Sequence, residues 1–293
     1  MKKILIIFAV AAAAIIIAIG MNKRESAASA ARAGNGAEVA DTVRDVATSR
    51  DSAPAPAANA NAMTHYPDLD LAKGHQANSI RKDYEGFRLA FNPSNKTPDW
   101  VAWELLGRET DGTTVRSDRF WQDADLEGCP TTGDYARSGY DRGHLCPAAE
   151  QKWNPKAMED CFVMANMCPQ DHALNSGAWN TLENKERAWA QRDSAIVIVA
   201  GPIYEKSDTK RIGESRVRVP GAFFKVIVAP YADNPRGIGF VFPNMSSPGS
   251  MENYVTTIDD VEKLTGLDFF YNLPDDIEDK VESTASFREW NRK

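Results

Sequence analysis

Tyr140-Asp-Arg-Gly-His-Leu-Cys-Pro147, Asn166-Met-Cys-Pro-Gln170 and Leu174-Asn-Ser-Gly-Ala-Trp-Asn-Thr-Leu-Glu183 follow one another in the middle of the chain. The first segment crowds a carboxylate (Asp141), a guanidinium (Arg142) and an imidazole (His144) into four residues. Gly143 lets the backbone kink or approach a neighbour closely there. Spacing alone equally allows a structural ion pair beside an ordinary histidine. Asn175 opens the strongest helical pattern, Asn175–Arg192, in which Ala178, Trp179, Leu182 and Trp189 form the apolar stripe. At that position an asparagine is either an N-cap or a ligand. Glu183, two turns on, is either an i,i+4 partner of Arg187 or a second functional acid.

Outward from this core the pattern reads as α+β. Gly86–Asn92 and Trp100–Leu106 are predicted strands around the turn Pro93-Ser-Asn-Lys-Thr-Pro98. Residues 108–139 are loop-rich, with Gly112, Gly128, Pro130 and Gly133. A short helix fits Pro155–Cys161 behind the N-cap Asn154, and Phe162–Ala165 reads as a short strand. Ala195–Ala200 and Ala222–Ala229 are nearly continuous apolar runs, hence central strands covered on both faces, and Ile238–Phe242 is another strand. Thr257–Thr265 is a predicted helix stopped by Gly266. The expected architecture is a mixed or antiparallel central sheet with helices beside it.

Composition narrows the function. With 43% apolar and 26% charged residues, the chain is neither collagen-like, fully disordered nor a multi-span membrane protein. A net charge of −7 excludes a globally basic nucleic-acid coat but leaves room for a local basic groove. Most of the acidity lies in residues 251–293, where eleven acids face five bases. No paired-histidine or Cys-x-x-Cys spacing suggests zinc, and no glycine-rich phosphate loop suggests a nucleotide triphosphate. Of the four histidines, His65 and His75 read as solvated bystanders and His172, in a polar loop, as non-catalytic.

The N-terminus carries Lys2 and Lys3, an uncharged run Ile4–Gly20, then Lys23 and Arg24. Residues 1–24 are therefore expected to be a signal peptide or a retained membrane anchor, with residues 4–20 as the tether. Residues 25–65 are rich in Ala, Ser and Pro and hold no Leu, Ile, Phe or Trp, the composition of a flexible linker. One folded domain is expected over 66–293. Export is the expected destination, whether periplasmic, membrane-anchored or secreted.

In combination and in this order, Asp141-Arg-Gly-His144, Asn166–Gln170 and Leu174–Glu183 resemble the DNA/RNA non-specific endonucleases of the ββα-metal (His-Me finger) class. That family includes secreted bacterial sugar-non-specific nucleases and mitochondrial endonuclease G. The likeness continues through Val199-Ala-Gly-Pro-Ile-Tyr204 and Val219-Pro-Gly-Ala-Phe-Phe-Lys225 and ends near Leu264-Thr-Gly-Leu-Asp-Phe-Phe270, covering roughly residues 80–272. It implies a ββα-metal finger fold with a mostly antiparallel sheet flanked by helices, acting on DNA and RNA and leaving 5′-phosphate ends. It also implies Mg²⁺ (Mn²⁺ as a substitute) and a homodimer.

By position, the resemblance makes His144 the general base and Asn175 the metal ligand. Glu183 matches the acid that orients water at the cation, Arg142 the arginine of the motif, and Asn166 the second asparagine of the site. An upstream arginine stabilises the phosphate in this family; Arg119 is the best match and Arg116 its rival. Asp141 is expected to fix the motif backbone rather than react.

Cys129, Cys146, Cys161 and Cys168 allow three pairings in an exported chain, and spacing does not choose among them. The expected bridges are Cys146–Cys168 and Cys129–Cys161, because Cys146 and Cys168 each lie two residues past a presumed site residue. Two other function classes compete: a catalytically silent nucleic-acid-binding protein, and a hydrolase using Cys146 with His144. Chelation separates them, since EDTA stops only the metal-dependent enzyme.

Overall fold

Alternation along two long strands divides the interior in two. On one side of the sheet lie Ile196, Ile198, Ala200, Phe223 and Ile227; on the other lie Val197, Val199, Phe224, Val226 and Val228. All of these side chains are buried, which is why the runs read as continuous rather than alternating. The computed structural model describes residues 66, 68–74, 78–247 and 249–292, all within one unit, Met63–Lys293. The expected signal or anchor and the whole linker with His65, and also His75, lie outside the described residues. Among the described residues no helix is long and apolar enough to cross a membrane.

The strands are β1 (Ala72–Lys73), β2 (Ile80–Asp83), β3 (Arg88–Asn92), β4 (Thr97–Leu106), β5 (Asp141–His144), β6 (Met167–Gln170), β7 (Ala195–Ile203), β8 (Arg211–Ile212), β9 (Val217–Arg218), β10 (Ala222–Ala229), β11 (Arg236–Pro243), β12 (Val255–Thr256) and β13 (Asp268–Phe269). Seven of them form the main sheet in the order β12-β11-β10-β7-β4-β3-β2. Every pairing in it is antiparallel, with Val226 opposite both Val199 and Gly239. Pro98 was expected to end the turn but lies inside β4; a register shift between Ala90 and Phe91 makes room for it.

The helices are α1 (Pro155–Asp160), α2 (His172–Leu174), α3 (Asn180–Asp193), α4 (Ile258–Thr265), α5 (Asp275–Ser283) and α6 (Phe287–Trp290). Asn154 caps α1 by accepting from the backbone N–H groups of Lys156 and Ala157. Thr257 caps α4 at its start, and Gly266 ends it in the left-handed region at φ 71°. Neither α5 nor α6 was expected from the sequence.

Three expectations need correction. Phe162–Ala165 is not a strand: Val163 makes one isolated bridge to Trp121, and a 3₁₀ turn follows at Met164–Asn166. The long helix does not start at Asn175. Asp171 caps α2, and a π-helical turn at Asn175–Trp179, with Gly177 outside helical angles, leads into α3. Asn175 is therefore not an N-cap. Finally, all four cysteines are free thiols in the core, so neither expected bridge forms. They pack as small apolar groups, each no more than 2% exposed.

Candidate functional site

β5 pairs with β6 through Asp141 opposite Gln170 and His144 opposite Met167, and the α2–α3 segment follows directly. This is a two-strand, one-helix unit set against the main sheet. Gly143 is required here by close approach: a Cβ would lie 2.3 Å from Oε1 of the buried Gln170.

His144 projects from the end of β5 into an aromatic slot. The Phe162 ring meets it edge-on at 4.9 Å and the Phe120 ring is tilted at 5.6 Å. Outside these rings lie two guanidiniums, Arg116 over Phe162 at 4.9 Å and Arg142 over Phe120 at 4.2 Å. Although the residue is partly exposed, Nε2 is buried and has no hydrogen-bond partner among the described residues. Burial first, then the charges of Arg116 and Arg142, push the imidazole down to about 3, with Asp118 opposing them. His144 is therefore neutral at pH 7.

A prediction follows for acid stability. Between the unfolded value near 6.5 and the folded value, the unfolded chain binds a proton that the native site refuses, so stability present above pH 6.5 is lost as pH falls toward 3. Urea unfolding at pH 7 and pH 4.5 should show a larger loss for the wild type than for His144→Ala.

Asp141 joins the strand to the helical turn. Its Oδ2 accepts from Asn175 Nδ2 at 2.9 Å and lies 2.8 Å from His172 Nδ1. Because a carboxylate only accepts, the Asn175 amide must present its NH₂ to Asp141 and its oxygen elsewhere. That leaves Oδ1 as the end able to take a cation. The Trp179 indole also donates to the His144 carbonyl, at 3.3 Å, fastening the π-turn to the strand that carries the imidazole. Such π-turns are frequent at functional sites.

The remaining expected residues fall into two groups. Asn166 is fully buried and its amide is spent on backbone: Oδ1 accepts from Cys146 N, and Nδ2 donates to the Cys146 and Cys161 carbonyls, each at 2.9 Å. It holds the chain just after His144 and faces no opening. Arg119 and Arg116 are both exposed, and Arg116 is the one whose charge acts on both His144 and Glu183.

Glu183 lies in the first turn of α3, where burial pushes its carboxyl up to about 7; Lys225, Arg187 and Arg116 oppose that rise and Glu186 adds to it. Of the two alternatives for Glu183, the i,i+4 pair with Arg187 does not form among the described residues. Arg187 instead donates to Asn184 Oδ1 at 2.6 Å and lies 3.8 Å from Glu150 Oε1.

A charged layer under the site escaped the sequence reading. Lys225, fully buried on β10, lies 2.9 Å from Glu186 Oε2 and beneath the Trp179 ring at 4.5 Å. Glu150, also fully buried, accepts from Trp103 Nε1 at 2.7 Å. The available signal was the lysine itself, the single charge in the run Ala222–Ala229. Asp141's hold on Asn175 had no comparable signal, because 34 positions separate them.

Chemically, the site offers a neutral base, a directed amide oxygen, a carboxylate titrating near neutrality and exposed guanidiniums. It does not offer a thiolate. Burial pushes the Cys161 thiol up to about 12 and the Cys129 thiol up to about 11, and holds Cys146 well above the ordinary thiol value.

Residues 71–276 match the family model described as DNA/RNA non-specific endonuclease. The chain belongs to that family. It is 32% identical over 212 residues to the mitochondrial nuclease EXOG of Xenopus laevis, covering 67% of this chain and 59% of the relative. Human mitochondrial endonuclease G is 30% identical over 207 residues, with 66% of this chain and 70% of the relative covered. Among solved structures, an endonuclease G–inhibitor complex superposes with a TM-score of 0.61 at 30% identity, covering 66% of this chain and 86% of that one. The antiparallel sheet with its ββα unit is the architecture shared with that neighbour.

Proposed function

We propose that this chain is an exported, divalent-cation-dependent endonuclease that hydrolyses DNA and RNA without strong sequence preference and leaves 5′-phosphate ends. The observation that carries the reading is that one ββα unit holds both a neutral, aromatic-flanked His144 and an Asn175 amide whose nitrogen is tied to Asp141. The residues fit Mg²⁺: Asn175 Oδ1 is one neutral ligand, leaving most positions to water and phosphate, as this ion prefers; Mn²⁺ fits the same donor. When bound, the cation would neutralise phosphate charge and stabilise the departing 3′ oxygen.

The chain's own residues do the rest. His144 takes the proton of the attacking water. Glu183 accepts a hydrogen bond from water in its ionised form. Arg116 and Arg142 hold the phosphate, with Arg119 a further contact on the same loop. Asp141 orients Asn175, and Asn166 positions the strand end that carries His144. Contacts to phosphate, sugar and cation carry no base information, which accounts for the lack of preference. Residues 66–293 form the nuclease domain in this reading, residues 25–65 a linker, and residues 1–24 the export signal or anchor.

Purified full chain incubated with supercoiled DNA and with RNA tests the proposal. Cleavage of both with Mg²⁺, lost in EDTA, is expected. Cleavage unaffected by EDTA contradicts it, and binding without cleavage favours a silent binder. A finer prediction concerns Asp141. Asp141→Ala should raise the Mg²⁺ concentration for half-maximal nicking by roughly 10–100-fold, the usual cost of losing a group that orients a ligand. Asn175→Ala should raise it at least as much. An unchanged Mg²⁺ titration in both would remove Asn175 from the site.

A further inference from the structure

The acidity of residues 251–293 finds no use at the site above, and part of it converges in one place. Asp259 and Glu262, three residues apart on α4, share a helix face. Glu282 reaches them from the last turn of α5. One carboxylate oxygen from each of the three lies within 4.8 Å of the others. Among the described residues, no lysine or arginine forms a salt bridge with any of them; Lys263 pairs with Asp260 and Lys73 with Asp268.

A second observation points to an occupant. Glu282 is only 7% exposed, and its Oε1 is buried with no hydrogen-bond partner among the described residues. Leaving a carboxylate oxygen dry and unpaired is costly, and a native fold retains one only for a reason. Glu262 keeps one oxygen on the Phe269 N–H at 2.8 Å, so its other oxygen remains available.

We propose that Asp259, Glu262 and Glu282 form a calcium site that pins α4 to α5. Calcium takes six to eight oxygens at about 2.3–2.6 Å, so donors on opposite sides of the ion stand up to about 5 Å apart, as here. Magnesium is disfavoured, because its smaller octahedron keeps several waters and tolerates few carboxylates. The site is separate from the Asn175 centre and independent of the nuclease reading.

Thermal unfolding of the full chain, stripped with EDTA and titrated with CaCl₂ or MgCl₂, tests this. At a hundredfold excess over Kd, calcium should raise the wild-type midpoint by roughly 5–10 °C. Asn175→Ala should keep that rise, which separates it from any cation at the catalytic centre. Glu282→Gln should abolish it. If Glu282→Gln does not fold, Asp259→Asn serves the same purpose and should weaken the calcium response at least tenfold in midpoint concentration. No response of the wild type to calcium, a full response in both carboxylate variants, or an equal midpoint with magnesium would overturn the assignment.

Discussion

His144→Ala is expected to lower the rate of Mg²⁺-dependent nicking of supercoiled DNA by about 10²–10⁴-fold, the usual contribution of a positioned base. The loss should fall on kcat, because the arginines proposed to hold the phosphate and the Asn175 proposed to hold the cation are untouched. The Mg²⁺ titration midpoint should not move, since Asn175 is oriented by Asp141 and not by the imidazole. Far-UV circular dichroism should match the wild type. The ring sits at the partly exposed end of β5, between Phe120 and Phe162, so its removal leaves the sheet intact. A variant cleaving at the wild-type rate would mean that another group accepts the proton.

Lys225→Met should be the most destabilising single substitution in the neighbourhood, by about 3–5 kcal/mol. Burial by itself would lower the pKa of this lysine. Glu186, Glu183 and Glu150 outweigh burial and hold the value above that of an ordinary lysine. Removing the ammonium leaves Glu186 and Glu150 fully buried without their main counter-charge. The double variant Lys225→Met/Glu186→Met should recover most of the loss, because a buried pair replaced by apolar groups of similar size is often near neutral. Denaturant unfolding of both singles and the double measures this. Additive losses would show that the pair is not coupled. Activity should respond as well: Lys225 is the first charge holding Glu183 down, so the acid limb of the pH–rate profile should move to higher pH in an active Lys225 variant.

What the sequence disclosed follows from the range of the interactions involved. The strands of residues 195–200 and 222–229, the capped helix at 258–265 and the Asn154 cap were readable because each is set by local composition and a short-range cap. The motif residues His144 and Asn175 were readable through resemblance, and the structure joins their segments through Asp141 and Trp179. The π-turn was not readable, because helical spacing continues across it and only Gly177 departs. Nor was Asn166 as a buried backbone clamp, since its three bonds go to Cys146 and Cys161, residues that spacing does not connect to it. The cysteine expectation failed because proximity in sequence to site residues says nothing of how side chains face one another in a core.

Asn175 is proposed to present its carboxamide oxygen to a cation within reach of the His144 imidazole. Crystals grown with Mn²⁺ and a short DNA duplex, read by anomalous diffraction, test it most directly. A peak bonded to Asn175 Oδ1, with a backbone phosphate beside it and His144 facing that phosphate, is the predicted result. A peak held by other residues, or a phosphate bound out of reach of His144, would contradict it.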